Sequence, residues 1–368
     1  MLMLKKTIAA LSLLSILAAC QNDENPSQPE PKPRQDINLT RAEQEFMDKG
    51  TDFAFRFFDQ VCSTEKEKPN VFVSPLSASL CLSMITNGAT DNTLAEMQDV
   101  LGFPANTFSL DDLNNYNQKL TSALLDLDNT TQLGIANSIW IEEGFKVYDS
   151  FVDVNKKMYD AQVQELDFTS PTAKDMINQW CATQTNNCIK EVIQEIPADV
   201  RMYLINALYF KGIWKSQFDK SATGQDNFTN VDGSQQKVAM MNQTATFNYT
   251  QTDDFSIAEL PYGNEAFSMV ILLPSGDKTL DESLPSLNYE NWKQWSKNMV
   301  GKELQIKLPR FKVEYDKELE EDMIAMGMKD AFDAYKAKFA NMSGAELYIG
   351  LLQQFTYINV DEEGTEAA

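Results

Sequence analysis

The chain has 368 residues, of which 43% are hydrophobic and 10% aromatic, so it can bury a substantial core. Its 31 Lys and Arg residues against 54 Asp and Glu residues give a net charge of −23, which disfavours binding to nucleic acid or to an anionic membrane surface. Histidine is absent, which excludes Ser-His-Asp and Cys-His catalysis and any metal site built on imidazole. We therefore predict a folded, acidic protein without an imidazole-based active site.

The N-terminal residues are typical of a secretion signal rather than of a folded domain. Two lysines precede a short apolar run that ends in Leu17-Ala18-Ala19-Cys20, and this run is too short for a permanent membrane span. The last four residues resemble the bacterial lipobox, in which the cysteine is lipidated. We predict a lipoprotein signal peptide over 1–19, lipidation of Cys20, and a disordered, proline-rich tether over 20–39. This predicts an extracytoplasmic protein anchored by lipid in the bacterial outer membrane, on its periplasmic face or at the cell surface.

Four further cysteines, Cys62, Cys81, Cys181 and Cys188, lie in the part expected to be exported, where disulfides are permitted. None of them has CxxC spacing. Cys181 and Cys188 would lie about 10 Å apart along a helix axis, which is too far for a bridge within one helix. We predict that these cysteines are buried free thiols.

From residue 40 onward, apolar spacing and turn residues predict interleaved helices and strands. Helices are predicted over 42–61, from Ser74-Pro75 onward, and over 90–101, 151–159, 172–193 and 317–326. Strands are predicted over 133–141, 200–214, 304–315 and 347–360, with several shorter ones between 228 and 273 and turns at 232–233 and 262–263. Helices come mostly first and strands mostly later, which indicates one α+β domain around a large sheet.

Seven segments resemble the serpin family and follow one another in serpin order. They are NVFVSPLSASLCLSMITNGATDNTLAEMQDVLGF (70–103), ANSIWI (136–141), INQWCATQTNNCIKEVI (177–193), LINALYFKGIWKSQFD (204–219), ELPYGNEAFSMVILLP (259–274), LPRFKVEY (308–315) and DEEGTEAA (361–368). The resemblance runs from about residue 42 to the last residue. It implies a serpin domain over 40–368: an α+β fold with a main mixed β-sheet, two further β-sheets and about eight helices.

The resemblance also implies a protease inhibitor that acts as a suicide substrate and is not an enzyme. In this family a serine protease, or sometimes a cysteine protease, attacks an exposed reactive loop and forms an acyl-enzyme. The loop then inserts into the main sheet as a new central strand and distorts the active site of the protease. Such an inhibitor needs no catalytic group and no cofactor, so the missing histidines are compatible with it. The expected partner is the target protease, and we expect a monomer.

The last five residues, Gly364, Thr365, Glu366, Ala367 and Ala368, match the family's hinge, which is the segment that enters the sheet first. Side chains alternate along a strand, so Thr365 and Ala367 are predicted to face the core and Glu366 the solvent. A charge without a partner on the inner face would oppose insertion, whereas threonine and alanine fit there. Gly364 is predicted to let the backbone bend between strand and loop.

A polar cluster under the centre of the main sheet also carries over from the family, where it rearranges as the sheet opens. The matching residues are Ser74, Ser77, Asn206 and Gln354. Gln354 stands where the family often has a histidine, and its amide keeps both a donor and an acceptor. We expect the cluster to permit sheet opening.

A latch at the top of the main sheet is implied by Trp214, Arg310 and Glu362. The resemblance places Trp214 where the loop first inserts, and it brings a basic residue after Leu-Pro close to an acidic residue two before the hinge glycine. We predict an ion pair between Arg310 and Glu362, which contributes about 0.5–1 kcal/mol if it is exposed. Asn187-Cys188 stands where the family usually has Gly-Lys, and asparagine tolerates the left-handed turn expected there.

The chain stops at Ala368, inside the matched reactive loop. We expect it to be either one product of loop cleavage or a truncated sequence that lacks the scissile bond and the C-terminal strands of the family. Residues 109–131 contain four Asp and one Lys, where some serpins have a basic helix that binds heparin, so heparin binding is not expected.

Two alternatives to inhibition remain from the sequence. A non-inhibitory serpin-like binding protein at the bacterial surface would share the fold, but such members usually have bulky or charged hinge residues, unlike Thr365 and Ala367. A glycan-binding surface lipoprotein would fit the anchor and the acidity, but it predicts clustered exposed aromatic residues and a different fold.

Overall fold

The computed structural model describes residues 31–104, 106–230 and 233–368. These residues form nine α-helices: α1 (Arg41–Thr64), α2 (Pro75–Thr86), α3 (Asp91–Leu101), α4 (Leu110–Asp126), α5 (Asp149–Tyr159), α6 (Ala173–Gln184), α7 (Leu280–Ser283), α8 (Tyr289–Lys297) and α9 (Glu320–Met326). They also form eleven strands: β1 (Gln132–Glu142), β2 (Gln162–Leu166), β3 (Met202–Ile213), β4 (Gly224–Thr229), β5 (Gln235–Gln251), β6 (Phe255–Pro261), β7 (Ser268–Pro274), β8 (Val300–Pro309), β9 (Phe311–Glu318), β10 (Gln353–Val360) and β11 (Gly364–Ala367).

The predicted signal peptide, Cys20 and most of the predicted tether lie outside the described residues. Residues 31–39 have neither helix nor strand, and within them the Lys32 ammonium lies 2.8 Å from the Asp126 carboxylate. No helix in the described parts of the chain is both long enough and apolar enough to cross a membrane.

Local sequence explains where the early helices begin and end. Thr40 starts α1 by accepting a hydrogen bond from the Glu43 amide, and the Glu43 carboxylate accepts one from the Thr40 amide in return. Ser74 caps α2 and Pro75 fills its first position, as predicted. Gly102 ends α3 in the left-handed conformation, with φ 87°.

The main sheet has six strands in the order β2-β1-β3-β11-β10-β9. β1 and β2 are parallel and all other neighbours are antiparallel, so the sheet is mixed, as predicted. The last strand in the sequence, β11, therefore lies at the centre of the sheet, between β3 and β10.

The second sheet has five strands in the order β4-β5-β6-β7, with β8 also paired to β5. Two smaller sheets are expected from the resemblance, but the described residues form one. The reason is the length of β5, whose 17 residues pair first with β4, then with β8, and finally with β6.

Buried apolar residues form three clusters on the two faces of the main sheet. Most helices pack on the lower inner face, where Phe53, Phe57 and Met84 are fully buried. The second sheet packs on the upper inner face around Trp214. Helix α6 covers the outer face, where Trp180 meets Trp140 edge to face.

Three predicted elements need correction. The strand predicted over 304–315 is two strands in different sheets, because the chain crosses from β8 to β9 at Arg310. The helix predicted over 172–193 ends at Gln184, because Asn186 and Asn187 both take left-handed φ values, 50° and 63°. The strand predicted over 347–360 begins only at Gln353.

Candidate functional site around strand β11

All five predicted hinge residues lie in β11 or directly after it. Gly364 pairs with Ile213 at the upper end of β3, and Ala367 pairs with Phe210 of β3 and Ile358 of β10. Ala368 continues the ladder, because its amide and carbonyl both hydrogen-bond to Tyr357. The hinge is therefore part of the sheet rather than a free loop.

Below this level, β3 and β10 are not joined to each other by strand pairing in the described residues. We call residues 202–209 of β3 and 353–356 of β10 the facing edges. At the top of the sheet β11 lies between β3 and β10 and pairs with both. The facing edges are the continuation of these two strands below β11. Among the described residues, strand pairing therefore closes the centre of the main sheet at its upper end.

The inner face of the hinge is held by Thr365. This residue is 5% exposed, and its hydroxyl accepts a hydrogen bond from the Tyr262 hydroxyl at 2.6 Å. Tyr262 stacks on Trp214, with ring centroids 4.4 Å apart. Burial raises the pKa of Tyr262 above its usual value, so its hydroxyl stays protonated and available as a donor. Thr365 therefore faces the core, in agreement with the predicted alternation.

The outer face of the hinge is held by Glu366. Its carboxylate accepts a hydrogen bond from the Tyr209 hydroxyl at 2.6 Å and one from the Asn186 amide at 3.4 Å. The Lys211 ammonium lies 3.9 Å away, and the Glu366 side chain is 23% exposed. Glu366 does lie on the face opposite Thr365, but it contacts other side chains there instead of only solvent.

Two glycines make the close strand pairing possible. A Cβ atom on Gly364 would lie 1.9 Å from the Gly212 carbonyl oxygen, and a Cβ on Gly212 would lie 2.9 Å from the Tyr262 ring. Gly364 is not among the residues with positive φ. The close contact with β3 therefore requires glycine at 364, and the predicted role of Gly364 in a backbone bend stays a prediction.

Arg310 and Glu362 meet directly above β11. Arg310 Nη2 donates to Glu362 Oε1 at 2.5 Å, and the Thr223 hydroxyl donates to the same oxygen at 2.7 Å. Burial alone would raise the pKa of Glu362, but the hydrogen bonds from Arg310 and Thr223 outweigh it and hold the pKa below its usual value. The predicted ion pair is thus present, and it is more buried than an exposed pair would be, since the Glu362 side chain is 2% exposed.

Trp214 ties the segment before the hinge to the top of β3. Its backbone amide donates to the Glu363 carbonyl at 2.9 Å, and its indole nitrogen donates to the Asp361 carbonyl at 2.8 Å. Trp214, Arg310 and Glu362 therefore lie together at the top of the sheet. Whether they act as a latch stays a prediction.

The structure brings together only part of the polar cluster predicted under the sheet. Gln354 bonds the Ser74 backbone twice, since its oxygen accepts from the amide at 2.8 Å and its nitrogen donates to the carbonyl at 2.9 Å. Ser77 joins them through its amide, which donates to the Ser74 hydroxyl at 3.3 Å. Asn206 instead donates to Asn137 at 2.8 Å, and its own side-chain oxygen is buried with no hydrogen-bond partner in the described parts of the chain.

A family model described as Serpin (serine protease inhibitor) matches residues 48–368. The chain belongs to the serpin family. It is 36% identical to serpin B6 of Macaca fascicularis over 81% of each chain. Among solved structures, it is similar to the latent state of tengpin, a thermophilic serpin, with 31% identity, a TM-score of 0.82 and coverage of 90% and 89% of the two chains. It is also similar to emu (Dromaius novaehollandiae) ovalbumin, with 25% identity, a TM-score of 0.83 and coverage of 88% of each chain.

Membership of the serpin family indicates an inhibitor of proteases in general terms, although some serpins, ovalbumin among them, do not inhibit proteases. Serpins are generally inhibitors rather than catalysts.

Four side chains that the sequence did not identify as site residues donate hydrogen bonds to the hinge or to Glu362. They are Asn186, Tyr209, Thr223 and Tyr262. Tyr209 alternates with Lys211 along a predicted strand, so their shared face follows from periodicity. The identity of their partner on the neighbouring strand, Glu366, does not follow from periodicity, because it lies more than 150 residues further along the chain.

The four cysteines of the described residues are free thiols, as predicted, but only Cys181 is fully buried. Burial raises the pKa of Cys81 to about 12, and burial together with the Glu366 charge raises the pKa of Cys188 to about 11. These thiols stay protonated at neutral pH, which disfavours nucleophilic reactivity.

Proposed function

We propose that this serpin is a suicide-substrate inhibitor of serine proteases, or of cysteine proteases, and that it traps the acyl-enzyme by insertion of its reactive loop. One observation carries the proposal: the hinge is already a central strand of the main sheet, between two strands that do not pair with each other further down.

The proposed chemistry belongs to the protease. Its serine or cysteine attacks the scissile carbonyl of the reactive loop, the amine product leaves, and an ester or thioester joins the loop to the enzyme. Hydrolysis of that bond by water would release an intact protease. Insertion of the loop competes with hydrolysis, because it moves and distorts the attached protease before water can react.

The facing edges give insertion a physical driving force. Each residue that extends β11 downward adds ladder hydrogen bonds to β3 and β10, and it pairs backbone groups on both strands. Small or β-forming residues can enter without a large desolvation cost, and Thr365 and Ala367 fit this requirement on the inner face. The serpin fold therefore stores free energy that insertion releases.

The direct test uses the complete product of the gene and a panel of serine and cysteine proteases. An inhibitor of this kind forms a covalent complex that survives SDS, and cleavage within its reactive loop raises its thermal midpoint markedly. Cleavage of the protein by every protease, with no complex and an unchanged midpoint, would instead identify a non-inhibitory serpin-like binding protein.

We also propose that the protein is a monomer anchored by lipid on Cys20 in the outer membrane, and that heparin does not activate it. The charge of α4 supports the last point: this helix has Asp111, Asp112 and Asp126, and its one cation, Lys119, lies 2.7 Å from the Glu43 carboxylate. A sulfated polysaccharide would meet net negative charge on this helix.

A further inference from the structure

The side chain of Glu366 is bound on the outer face of the sheet by groups from two separate elements. Lys211 and Tyr209 come from β3, and Asn186 comes from the turn after α6. We call Tyr209, Lys211 and Asn186 the outer clamp. Lys211 is the direct cross-strand partner of Glu366, so opposite charges face each other across the β3–β11 pair.

Two members of the outer clamp, Tyr209 and Asn186, also contact each other without Glu366. Tyr209 is 7% exposed, so packing holds its ring, and its hydroxyl also accepts a hydrogen bond from Asn186 at 3.2 Å. Asn186 has φ 50°, which positions its amide over the sheet directly after the helix ends. Burial and the nearby Glu366 carboxylate raise the pKa of Tyr209, so the phenol remains a donor.

We propose that the outer clamp positions the hinge through Glu366, and that it stabilises the first inserted pairs before the loop is cleaved. The inference rests on the proposed inhibitory function and adds to it. Glu366 replaces water as the acceptor for Tyr209, so the hinge gains a charge-assisted hydrogen bond only when it is in the sheet. Asn186 links this step to α6, which covers the same outer face lower down.

The outer clamp also explains why a charged residue, Glu366, lies in a segment of otherwise small residues. On the inner face a carboxylate would meet Tyr262 and the buried aromatic residues around Trp214, where desolvation is costly. On the outer face it meets two donors and an ammonium group. Glu366 is therefore compatible with insertion because its side chain lies on the outer face of the sheet. There the outer clamp binds its carboxylate and stabilises the inserted hinge.

The test measures the rate of amide hydrogen exchange over residues 364–368 in the complete gene product before cleavage. It compares this rate between the unmodified protein and its variants. Glu366→Ala and Tyr209→Phe should each raise the exchange rate about tenfold, the change expected when one charge-assisted hydrogen bond is lost, and Glu366→Gln should keep part of the protection because its amide oxygen still accepts from Tyr209. Glu363→Ala is the matched control, since Glu363 lies in the same segment, its exposed carboxylate pairs with the exposed Lys220, and its backbone contacts are kept by alanine. The double variant Glu366→Ala with Tyr209→Phe should exchange no faster than Glu366→Ala alone, because Tyr209 acts on the hinge through Glu366.

Protease trapping supplies the second readout. Loss of the clamp should raise the number of inhibitor molecules consumed per trapped protease by about threefold, because slower insertion gives water more time to hydrolyse the acyl-enzyme. If Tyr209→Phe fails to fold, Asn186→Gly replaces it, because glycine keeps the left-handed backbone without the side chain.

Additive effects of Glu366→Ala and Tyr209→Phe, or an exchange rate of Glu366→Ala equal to that of Glu363→Ala, would overturn the proposal. If the unmodified protein traps no protease, the proposed function fails, and the exchange comparison still decides whether the outer clamp exists.

Discussion

Arg310 Nη2 and Glu362 Oε1 lie 2.5 Å apart, yet the two side chains differ sharply in exposure, 48% against 2%. The arginine can exchange its partner for water, but the carboxylate cannot. Among the described residues, the side chains that donate to Glu362 Oε1 are those of Arg310 and Thr223. The pair is therefore asymmetric: loss of the cation leaves a buried anion, at the level where the hinge enters the sheet.

Arg310→Ala should lower the free energy of unfolding by about 2–3 kcal/mol, more than removal of an exposed ion pair, because the Glu362 charge remains buried with one donor fewer. Glu362→Lys should be more severe, since it places two cations together; we expect premature opening of the sheet and polymers on warming. Denaturant unfolding and size-exclusion chromatography measure the two effects. Lys220→Ala serves as the control, because its pair with Glu363 is exposed and screened. A Glu362→Lys variant that stays monomeric when warmed would rule out the latch.

The same pair predicts a dependence on pH. The pKa of Glu362 in the folded protein lies below the ordinary value of 4.5, so the carboxylate contributes its full stabilisation above pH 4.5 and loses it as the pH falls through the folded pKa. Thermal midpoints of the unmodified protein and of Glu362→Gln should therefore converge on acidification below about pH 4.5. A difference between the two midpoints that stays constant down to acid pH would contradict this assignment.

Gly364→Ala should expel the hinge from the sheet, because the new methyl group would lie 1.9 Å from the Gly212 carbonyl oxygen, and a backbone atom cannot rotate away. We expect full exchange of the amides over 364–368 and, after loop cleavage, a much smaller rise in the thermal midpoint. Gly224→Ala is the matched control in β4, where no atom lies within 4 Å of an added Cβ. Unchanged protection of the hinge in Gly364→Ala would show that β3 can move aside.

Gln354→Met should destabilise the protein by about 1–3 kcal/mol, because it keeps the length of the side chain but leaves the Ser74 amide without its acceptor. The Ser74 carbonyl would lose one of its two donors and keep the Ala78 amide. The N-terminus of α2 should loosen under β10, and exchange of the first amides of α2 should accelerate. Gln353→Met is the neighbouring control on the opposite face of the strand. Equal stability of the two variants would argue against a structural role for Gln354.

Cys20→Ala should release the protein from the membrane fraction, because the lipid is the anchor that the Leu17-Ala18-Ala19-Cys20 pattern predicts. Fractionation and gel mobility after labelling with a fatty-acid analogue measure the change. A variant that remains in the membrane with unaltered mobility would disprove the lipobox interpretation.

Much of the local structure follows from the order of residues along the chain. Ser74 and Pro75 specify the start of α2, and Gly102 specifies the end of α3, because caps and left-handed turns depend on residues a few positions apart. The placement of Thr365 and Glu366 on opposite faces follows from the two-residue period of a strand. The family resemblance adds the pairing of Arg310 with Glu362.

Contacts between distant segments do not follow from local pattern, and these complete the site. Periodicity over 304–315 is continuous, yet Arg310 separates two strands that belong to different sheets. Tyr262 lies 103 residues before Thr365, and Tyr209 lies 157 residues before Glu366. A strand's alternation determines which side chains share a face, but the residue opposite them depends on sheet order and register. Those are set by how β3, β10 and the second sheet pack, so the groups that hold the hinge become visible only in the folded domain.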